Sequence, residues 1–388
     1  MKSGTDAGSI LAVNSGSSSL KFALFTELGG EESALLKGGA DGIGTSEGRL
    51  RIIDAEGHSL LDESYTLATQ GEALKEILEA IVKFSSVVPV AVGHRIVHGG
   101  PYLREHQAIT ADLIKTLEAA VHFAPLHIPP ALSLIRETER LLPKTPQYAC
   151  FDTAFHRTMP EESFRFALPE DLYRKGVQRY GFHGLSYESV VHRIGKDMPA
   201  RVICAHLGSG ASLVALRDGR SVDTSMGMTP TGGIPMATRS GDLDPGVLLF
   251  LLRTETKNGD TLETLLNHGA GLTALSGGVS DMRELEAAMK NGDIKARLAI
   301  EVFTGAVRKC IGAYAAELGG VDLLIFTGGI GEHSSFVRNL ICQGLEFLGI
   351  SSTQTDGSNG SKIAVMVSEE EVQIARHCRN LMCTGMRA

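Results

Sequence analysis

The chain opens with an apolar run, Leu11-Ala12-Val13, a polar segment, Asn14-Ser15-Gly16-Ser17-Ser18-Ser19, and an alternating pattern carried by Leu20, Phe22 and Leu24. That pattern predicts strand, tight turn, strand. Arg49 to Asp54 reads as another strand, and Gln70 to Phe84 as an amphipathic helix with Leu74, Ile77, Leu78 and Ile81 on one face. Val87 to Val97 reads as a buried strand running into His98-Gly99-Gly100-Pro101. Thr110 to His122 is expected to be helical with Thr110 as its N-cap, and Pro129 to Leu142 a second helix ended by Pro143. Gln147 to Phe151 is a short strand that delivers Asp152 at its C-terminal end. Strands and helices in this order make an α/β domain.

The segment Asp152 to Gly181, rich in Pro, Arg and Gly, predicts a connector with short helices. The opening pattern then returns in Ile203 to Leu216, with Gly208-Ser209-Gly210 at its centre. Gly16 matches Gly208, Ser17 matches Ser209, and Phe22-Ala23-Leu24 matches Val214-Ala215-Leu216, which indicates a duplicated domain and not a short-period repeat. Helices are expected over Pro245 to Arg253, Ser280 to Lys290 and Ile294 to Leu318. The strand Asp322 to Phe326 ends in a further glycine turn, Thr327-Gly328-Gly329-Ile330-Gly331-Glu332, before a helix from Ser334. Lys362 to Val367 is a last strand, Glu369 to Met382 a closing helix, and Thr355 to Ser361 a loop.

With 388 residues the chain has room for two to three domains. The net charge of −8 argues against nucleic acid or an anionic membrane as the main partner, so an anionic ligand requires cations gathered locally at its site. Cys150, Cys204, Cys310, Cys342, Cys378 and Cys383 include no CxxC pair, which fits reduced core thiols in a cytosolic protein and gives no hint of zinc. The apolar run before Asn14 is too short for a signal-peptide core, and no stretch approaches the ~18 apolar residues of a membrane helix. A cytoplasmic location is expected.

The glycine turns let backbone N–H groups approach a phosphate closely, because no Cβ stands in the way. None is a Walker loop: GxxxxGK[ST] is missing, and the first turn leads into a strand. Turns of this kind, facing one another across a cleft, would make a nucleotide site. Arg95 ends an apolar strand and Arg239 precedes a helix. Each is either a structural ion-pair partner, for Arg239 with Asp242 or Asp244, or part of a clamp on a carboxylate or phosphoryl group. His127 and His183 sit in rigid turns among apolar neighbours, where buried, internally satisfied histidines are common. His94 and His98 have a metal-like spacing, but on a strand and without an HExxH helix. Asp152 lies at a strand end, where α/β folds place ligand-handling groups, and its plainer role is to cap the next turn.

Asn14-Ser15-Gly16-Ser17-Ser18-Ser19-Leu20-Lys21-Phe22, Gly93 to Gly100, Phe151 to His156, Arg179 to Gly184, Thr238 to Pro245 and Phe326 to Glu332 together resemble the acetate kinase family, in its order and over nearly the whole chain. The resemblance implies an α/β fold of duplicated ribonuclease H-like, actin-like ATPase domains flanking a nucleotide-binding cleft. The domains would be 1–154 plus 372–388, with the closing helix returning to the first domain, and 155–371. It implies Mg²⁺-dependent (or Mn²⁺-dependent), reversible transfer of the ATP γ-phosphoryl group to acetate, giving acetyl phosphate and ADP. By family match, Arg95 and Arg239 hold the carboxylate and the developing phosphoryl charge, His183 bonds the transferring group with His127 nearby, and Asp152 positions the cations. Asn14 and Glu370 hold the metal directly or through water. Val97, Leu126, Phe182 and Pro230 surround the acetate methyl. Asp281 and Arg283, with Gly329, Ile330 and Gly331, match the adenosine side, and Lys21, His206, Gly208, Ser209, Gly210 and Met282 further nucleotide positions. A homodimer is also implied.

The residue types suit that chemistry on their own terms. Acetate is ionised at pH 7 and needs no general base, so the task is to bring one anion up to another. Two unit charges ~4 Å apart interact by ~4 kcal/mol at an effective dielectric of ~20, which calls for arginines, a histidine and Mg²⁺. Several positions depart from the family pattern: Ser209, His333, Leu185, Tyr187 and Thr231-Gly232-Gly233-Ile234-Pro235. Alternatives are a kinase for propionate or another short acid, a sugar kinase, which would want a carboxylate base, and a non-catalytic nucleotide switch lacking the Arg95, His183 and Arg239 set.

Overall fold

The structure, a computed structural model, describes residues 8–16, 18–255, 258–351 and 362–385. Ser17 and the Thr355 to Ser361 loop lie outside them. The described chain divides into two units, residues 1–154 with 369–388 and residues 155–368. The return to the first unit therefore begins before residue 372, and Glu370 and Glu371 belong to that unit.

In the first unit the strands are β1 (Ile10–Ser15), β2 (Ser19–Leu28), β3 (Glu31–Asp41), β4 (Arg49–Asp54), β5 (Ser59–Ser64), β6 (Ala91–Ile96), β7 (Gln107–Ala108) and β8 (Gln147–Phe151). They form one sheet in the order β5-β4-β3-β2-β1-β6-β8-β7. Its helices are α1 (Gln70–Ser85), α2 (Ala111–Ala119) and α3 (Ile128–Leu141), with the closing helix Glu370–Gly385. The alternation in β2 works as expected: Leu20, Phe22 and Leu24 are buried with Leu11 and Val13 against Leu74, Ile77 and Ile81 of α1. Thr110 caps α2, accepting from Leu113 N–H. The closing helix lies so near β6 that a Cβ on Gly93 would stand 2.4 Å from Ile374 and 2.5 Å from Cys378 Sγ, so glycine is required there.

The second unit begins with the connector and its short helices α4 (Glu161–Phe164) and α5 (Glu170–Arg174), then α6 (Gly184–Ile194). Strands β9 (Arg201–Leu207), β10 (Ala211–Arg217), β11 (Arg220–Thr224), β12 (Leu323–Thr327) and β13 (Ile363–Val365) form a sheet in the order β11-β10-β9-β12-β13. Helices α7 (Pro245–Thr254), α8 (Gly259–His268), α9 (Gly271–Ser276), α10 (Met282–Lys290), α11 (Ile294–Leu318), α12 (Gly328–His333) and α13 (Ser335–Cys342) precede and follow β12; the closing helix is α14. Tyr187 and Val190 of α6 pack on Val202, Cys204, Val214, Leu216 and Ile325 of the sheet.

Both sheets share one plan. β1 pairs antiparallel with β2 and parallel with β6, which is parallel to β8; β9 pairs antiparallel with β10 and parallel with β12, which is parallel to β13. The domain duplication expected from the repeated hairpin is present, in the ribonuclease H-like form that the family resemblance implies. Its register corrects one detail. Phe22 lies opposite Val13, whereas Leu213, not Val214, lies opposite Ala205, because the second turn is a residue shorter. The third glycine segment is also no open turn: it is the helix α12. No described helix is long and apolar enough to cross a membrane.

Candidate active site

In the first unit, β6 and β8 run in parallel with Ile96 opposite Phe151, so Asp152 comes level with the end of β6 and donates its N–H to Ile96 O. The buried Asp152 carboxylate takes Arg95 Nε at 3.0 Å and Nη2 at 2.6 Å. Arg95 Nη1 donates to Asn14 Oδ1 at 3.0 Å, and Asn14 Nδ2 donates to Glu370 Oε2 at 3.2 Å and Glu371 Oε1 at 3.3 Å. Burial alone would lower the Arg95 pKa; Asp152 and Glu370 outweigh it and hold the guanidinium charged. Ser15, Gly16, Arg95, Val97, Leu126 and His127 line one shallow concavity open to solvent. A cation thus sits beside apolar walls from Val97 and Leu126. Lys21 is exposed on β2, opposite Asn14.

The His94 and His98 pair makes no metal site. His94 donates Nε2–H to Gln147 Oε1 at 2.7 Å, and burial lowers its pKa to about 4. His98 Nδ1 accepts from Gly100 N–H. Cys150, Cys204, Cys342 and Cys378 are buried free thiols, and burial pushes Cys342 up to about 12.

The second unit places its imidazoles over the second hairpin. His183 caps α6 in the left-handed region at φ 58°, and its ring stacks on that of His206 with centroids 4.3 Å apart. Each ring is tied at Nδ1, His183 to Ser212 Oγ and His206 to Ser186 Oγ, both at 2.8 Å. Their Nε2 atoms point at the glycines. A Cβ on Gly210 would lie 3.3 Å from His183 Nε2 and 3.6 Å from Arg239 Nη1, and one on Gly208 would lie 3.9 Å from His206 Nε2. Gly210 therefore keeps open a space faced by an imidazole nitrogen and a guanidinium.

Arg239 is held by its loop. Met236 N–H donates to Arg239 O, Ala237 N–H to Ser209 O, and Leu272 N–H to Met236 O, which ties the Met236 to Arg239 turn to both the hairpin and α9. Arg239 Nη1 donates to Pro230 O at 3.1 Å. Asp242 and Asp244 spend carboxylate oxygens on Gly233 N–H and Gly246 N–H. Phe182 is buried, and its carbonyl accepts from His156 Nε2.

Gly329 has no atom within 4 Å of its Cβ position, Ile330 is half-buried, and Gly331 is buried under Arg338, whose Nη1 holds its carbonyl. Asp281 caps α10 and pairs with Arg283 Nη2 at 2.6 Å; that hydrogen bond lowers the Asp281 pKa to about 2. The Arg283 side chain is 90% exposed, while Met282 is buried, so Met282 offers a ligand its backbone only.

The model of the acetokinase family matches residues 9–378. The chain belongs to the acetokinase family. An acetate kinase of Coprothermobacter proteolyticus is 42% identical over 391 residues, 95% of this chain and 97% of that protein. Among solved structures, an acetate kinase of Porphyromonas gingivalis shares 37% identity with a TM-score of 0.85, covering 97% of this chain and all of that one. A propionate kinase of Francisella tularensis shares 34% with a TM-score of 0.87, covering 95% and 98%.

Family membership directs attention to the carboxylates. Glu370 and Glu371 both accept from Asn14 Nδ2, while Asn14 Oδ1 accepts from Arg95, so the two carboxylates are the oxygens here that could take Mg²⁺, a hard ion that binds one or two carboxylates and keeps several waters. Three groups at these clusters carried no sequence signal of their own role: Glu371, Ser212 and Tyr187. Tyr187 stood out only as a departure from the family pattern.

Proposed function

We propose that the protein phosphorylates acetate reversibly, moving the ATP γ-phosphoryl group to the carboxylate to give acetyl phosphate and ADP. The observation that carries this reading is the set of two guanidiniums and an imidazole, with Arg95 at the concavity in one unit and His183 and Arg239 facing Gly210 in the other. A nucleotide switch has no need of such a set, and a sugar kinase would want a carboxylate base in its place.

Arg95 receives the acetate carboxylate, and Val97 and Leu126 receive its methyl, with Phe182 and Pro230 completing the apolar surroundings. Asp152 fixes the plane of the Arg95 guanidinium and leaves its charge in place. His183 and Arg239 donate to the oxygens of the transferring phosphoryl group, where charge accumulates in a loose transition state. Gly208, Ser209, Gly210, His206 and Lys21 serve the phosphate chain; Asp281, Met282, Arg283, Gly329, Ile330 and Gly331 serve the nucleoside. Glu370, steadied by Asn14, would hold Mg²⁺, which when bound neutralises phosphate charge. We also infer a homodimer: α7 exposes the apolar side chains Val247, Leu249, Phe250 and Leu252, which a second copy would cover, and a monomer in sedimentation equilibrium would refute it.

The test is trapping of acyl phosphate with hydroxylamine, using ATP, Mg²⁺ and a panel of short acids, and the reverse reaction from acetyl phosphate and ADP. Trapped acetyl phosphate supports the reading. Nucleotide binding without acyl phosphate from any acid would overturn it. An extra methylene is worth only ~1 to 3 kcal/mol in an apolar pocket, so the panel also ranks propionate against acetate.

A further inference from the structure

Tyr187 and His183 lie one turn apart, Tyr187 N–H donating to His183 O, and both side chains reach the hydroxyl of Ser212 on β10. Tyr187 Oη is 2.5 Å from Ser212 Oγ, and Ser212 Oγ is 2.8 Å from His183 Nδ1. Tyr187 and Ser212 are both fully buried. Ser212 has one hydroxyl hydrogen, so it can donate to only one of these neighbours.

Two arrangements exist. In one, Tyr187 donates to Ser212 and Ser212 donates to His183 Nδ1, which places the ring hydrogen on Nε2. In the other, His183 Nδ1–H donates to Ser212, Ser212 donates to Tyr187, and the phenol hydrogen must find an acceptor elsewhere. The second is disfavoured because the phenol packs among Val190, Val202, Val214, Leu216 and Ile325, and among the described residues its one side-chain hydrogen-bond partner is Ser212 Oγ, so a phenol O–H turned away from Ser212 would be buried without an acceptor.

We propose that Tyr187 and Ser212 form a hydroxyl relay that fixes His183 as the neutral tautomer carrying its hydrogen on Nε2. The ring then presents an N–H donor, not a lone pair, to the space above Gly210. This rests on the reading of His183 as the group that meets the transferring phosphoryl oxygens, and it specifies how. No proton is transferred: the imidazole donates one hydrogen bond that strengthens as charge builds, in keeping with an ionised carboxylate nucleophile. Arg239, directed at the same space, supplies the full positive charge. Tyr187 and Ser212 are positioning residues.

The test is ¹⁵N NMR of the histidine rings at pH 7.5, with His183 assigned from a His183→Gln spectrum. The unsubstituted protein is expected to show a protonated Nε2 and an accepting Nδ1. Tyr187→Phe keeps the ring packing and frees the Ser212 hydroxyl. It should mix the two tautomers and lower kcat for acyl phosphate formation roughly tenfold, with KM for ATP within about twofold. Ser212→Ala should act in the same direction. A hydrogen on Nδ1 or an imidazolium in the unsubstituted protein overturns the relay, as does a Tyr187→Phe protein with an unchanged tautomer signal. Should Tyr187→Phe fail to fold, the spectrum of the unsubstituted protein decides alone. The tautomer readout needs no turnover: an Nε2–H ring in a protein that makes no acyl phosphate defeats the functional reading and leaves the relay standing.

Discussion

In the first unit the turn after β1 closes with Gly16 N–H on Ser19 O and is braced by Gln70, whose Nε2 donates to Gly16 O. In the second unit the turn after β9 is a residue shorter and closes with Gly208 N–H on Gly210 O. Strand order and direction around the two turns are the same, yet their surroundings differ. The first is flanked by Asn14, Arg95 and two glutamates, the groups proposed above to receive the carboxylate and the metal ion. The second is flanked by stacked imidazoles and Arg239, the groups proposed above to donate to phosphate oxygens. A shared backbone plan has diverged in chemistry by changing what stands beside the turn.

The largest effects should come from removing the cation each unit supplies. Arg95→Ala and Arg239→Ala should each lower kcat by roughly 10³-fold or more, since each removes charge that the transition state needs. Near-normal turnover in both at saturating acetate would break the division of labour. Next comes Gly210→Ala. Gly210 is not in the left-handed region, so alanine is allowed by the backbone and the fold should be retained. Its methyl would fill the space that His183 and Arg239 face, and kcat should fall roughly 10²-fold, the scale of losing one oxyanion donor. Gly16→Ala would press mainly on the movable Ser19 Oγ and should cost much less. Equal losses at the two glycines would remove the distinction between the turns.

Legibility followed locality. The strand Arg49–Asp54, the strand Gln147–Phe151 and the helix Ile294–Leu318 were readable to the residue, the helix because Asp293 caps one end and Gly319, at φ 74°, the other. β3 was not readable: its Glu31-Glu32 start and Gly38-Gly39 centre look like a loop, and it becomes a strand only because β2 and β4 pair with it on both sides. β11 is similar, an Arg220 to Thr224 segment made a strand by β10. Within the site, Arg95 and Asp152 were visible because strand ends mark themselves in sequence. The bonds from Asn14 to Glu370 and Glu371 cross almost the whole chain, and the Tyr187 to Ser212 contact joins a helix to a strand, so no local pattern announces them.

Each unit also buries a histidine whose pKa burial lowers, His94 in the first and His156 in the second, which sharpens the comparison on the stability side. His94 bonds Gln147, and His156 bonds Ser221 Oγ and Phe182 O; burial lowers each pKa from 6.5 to about 4. Between those values the unfolded chain binds the extra proton, so stability is complete above about pH 6.5 and falls as pH drops toward 4. Each histidine contributes about 3 kcal/mol over that window, of which about 2 kcal/mol is lost by pH 5. Urea unfolding at pH 7.5 and pH 5 should show the loss. His94→Gln and His156→Gln should each flatten the pH dependence while lowering stability at pH 7.5. A pH dependence unaltered by either substitution would show that these two rings are not its source.

The smallest expected effect lies at Arg283, and it separates binding from chemistry. Its side chain is almost wholly exposed and its partner Asp281 caps α10 through Arg283 N–H, a backbone bond that survives side-chain substitution. Arg283→Ala should leave the unfolding midpoint unchanged, because exposed ion pairs contribute only ~0 to 1 kcal/mol. If the nucleoside rests against this pair, the substitution removes an interaction made equally in the ground and transition states. KM for ATP should then rise about three- to tenfold with kcat unchanged. A fall in kcat at unchanged KM would instead place Arg283 with Arg239 and His183 among the groups that act on the transferring phosphoryl. An unchanged kcat and KM would leave the α10 cap without a part in nucleotide binding.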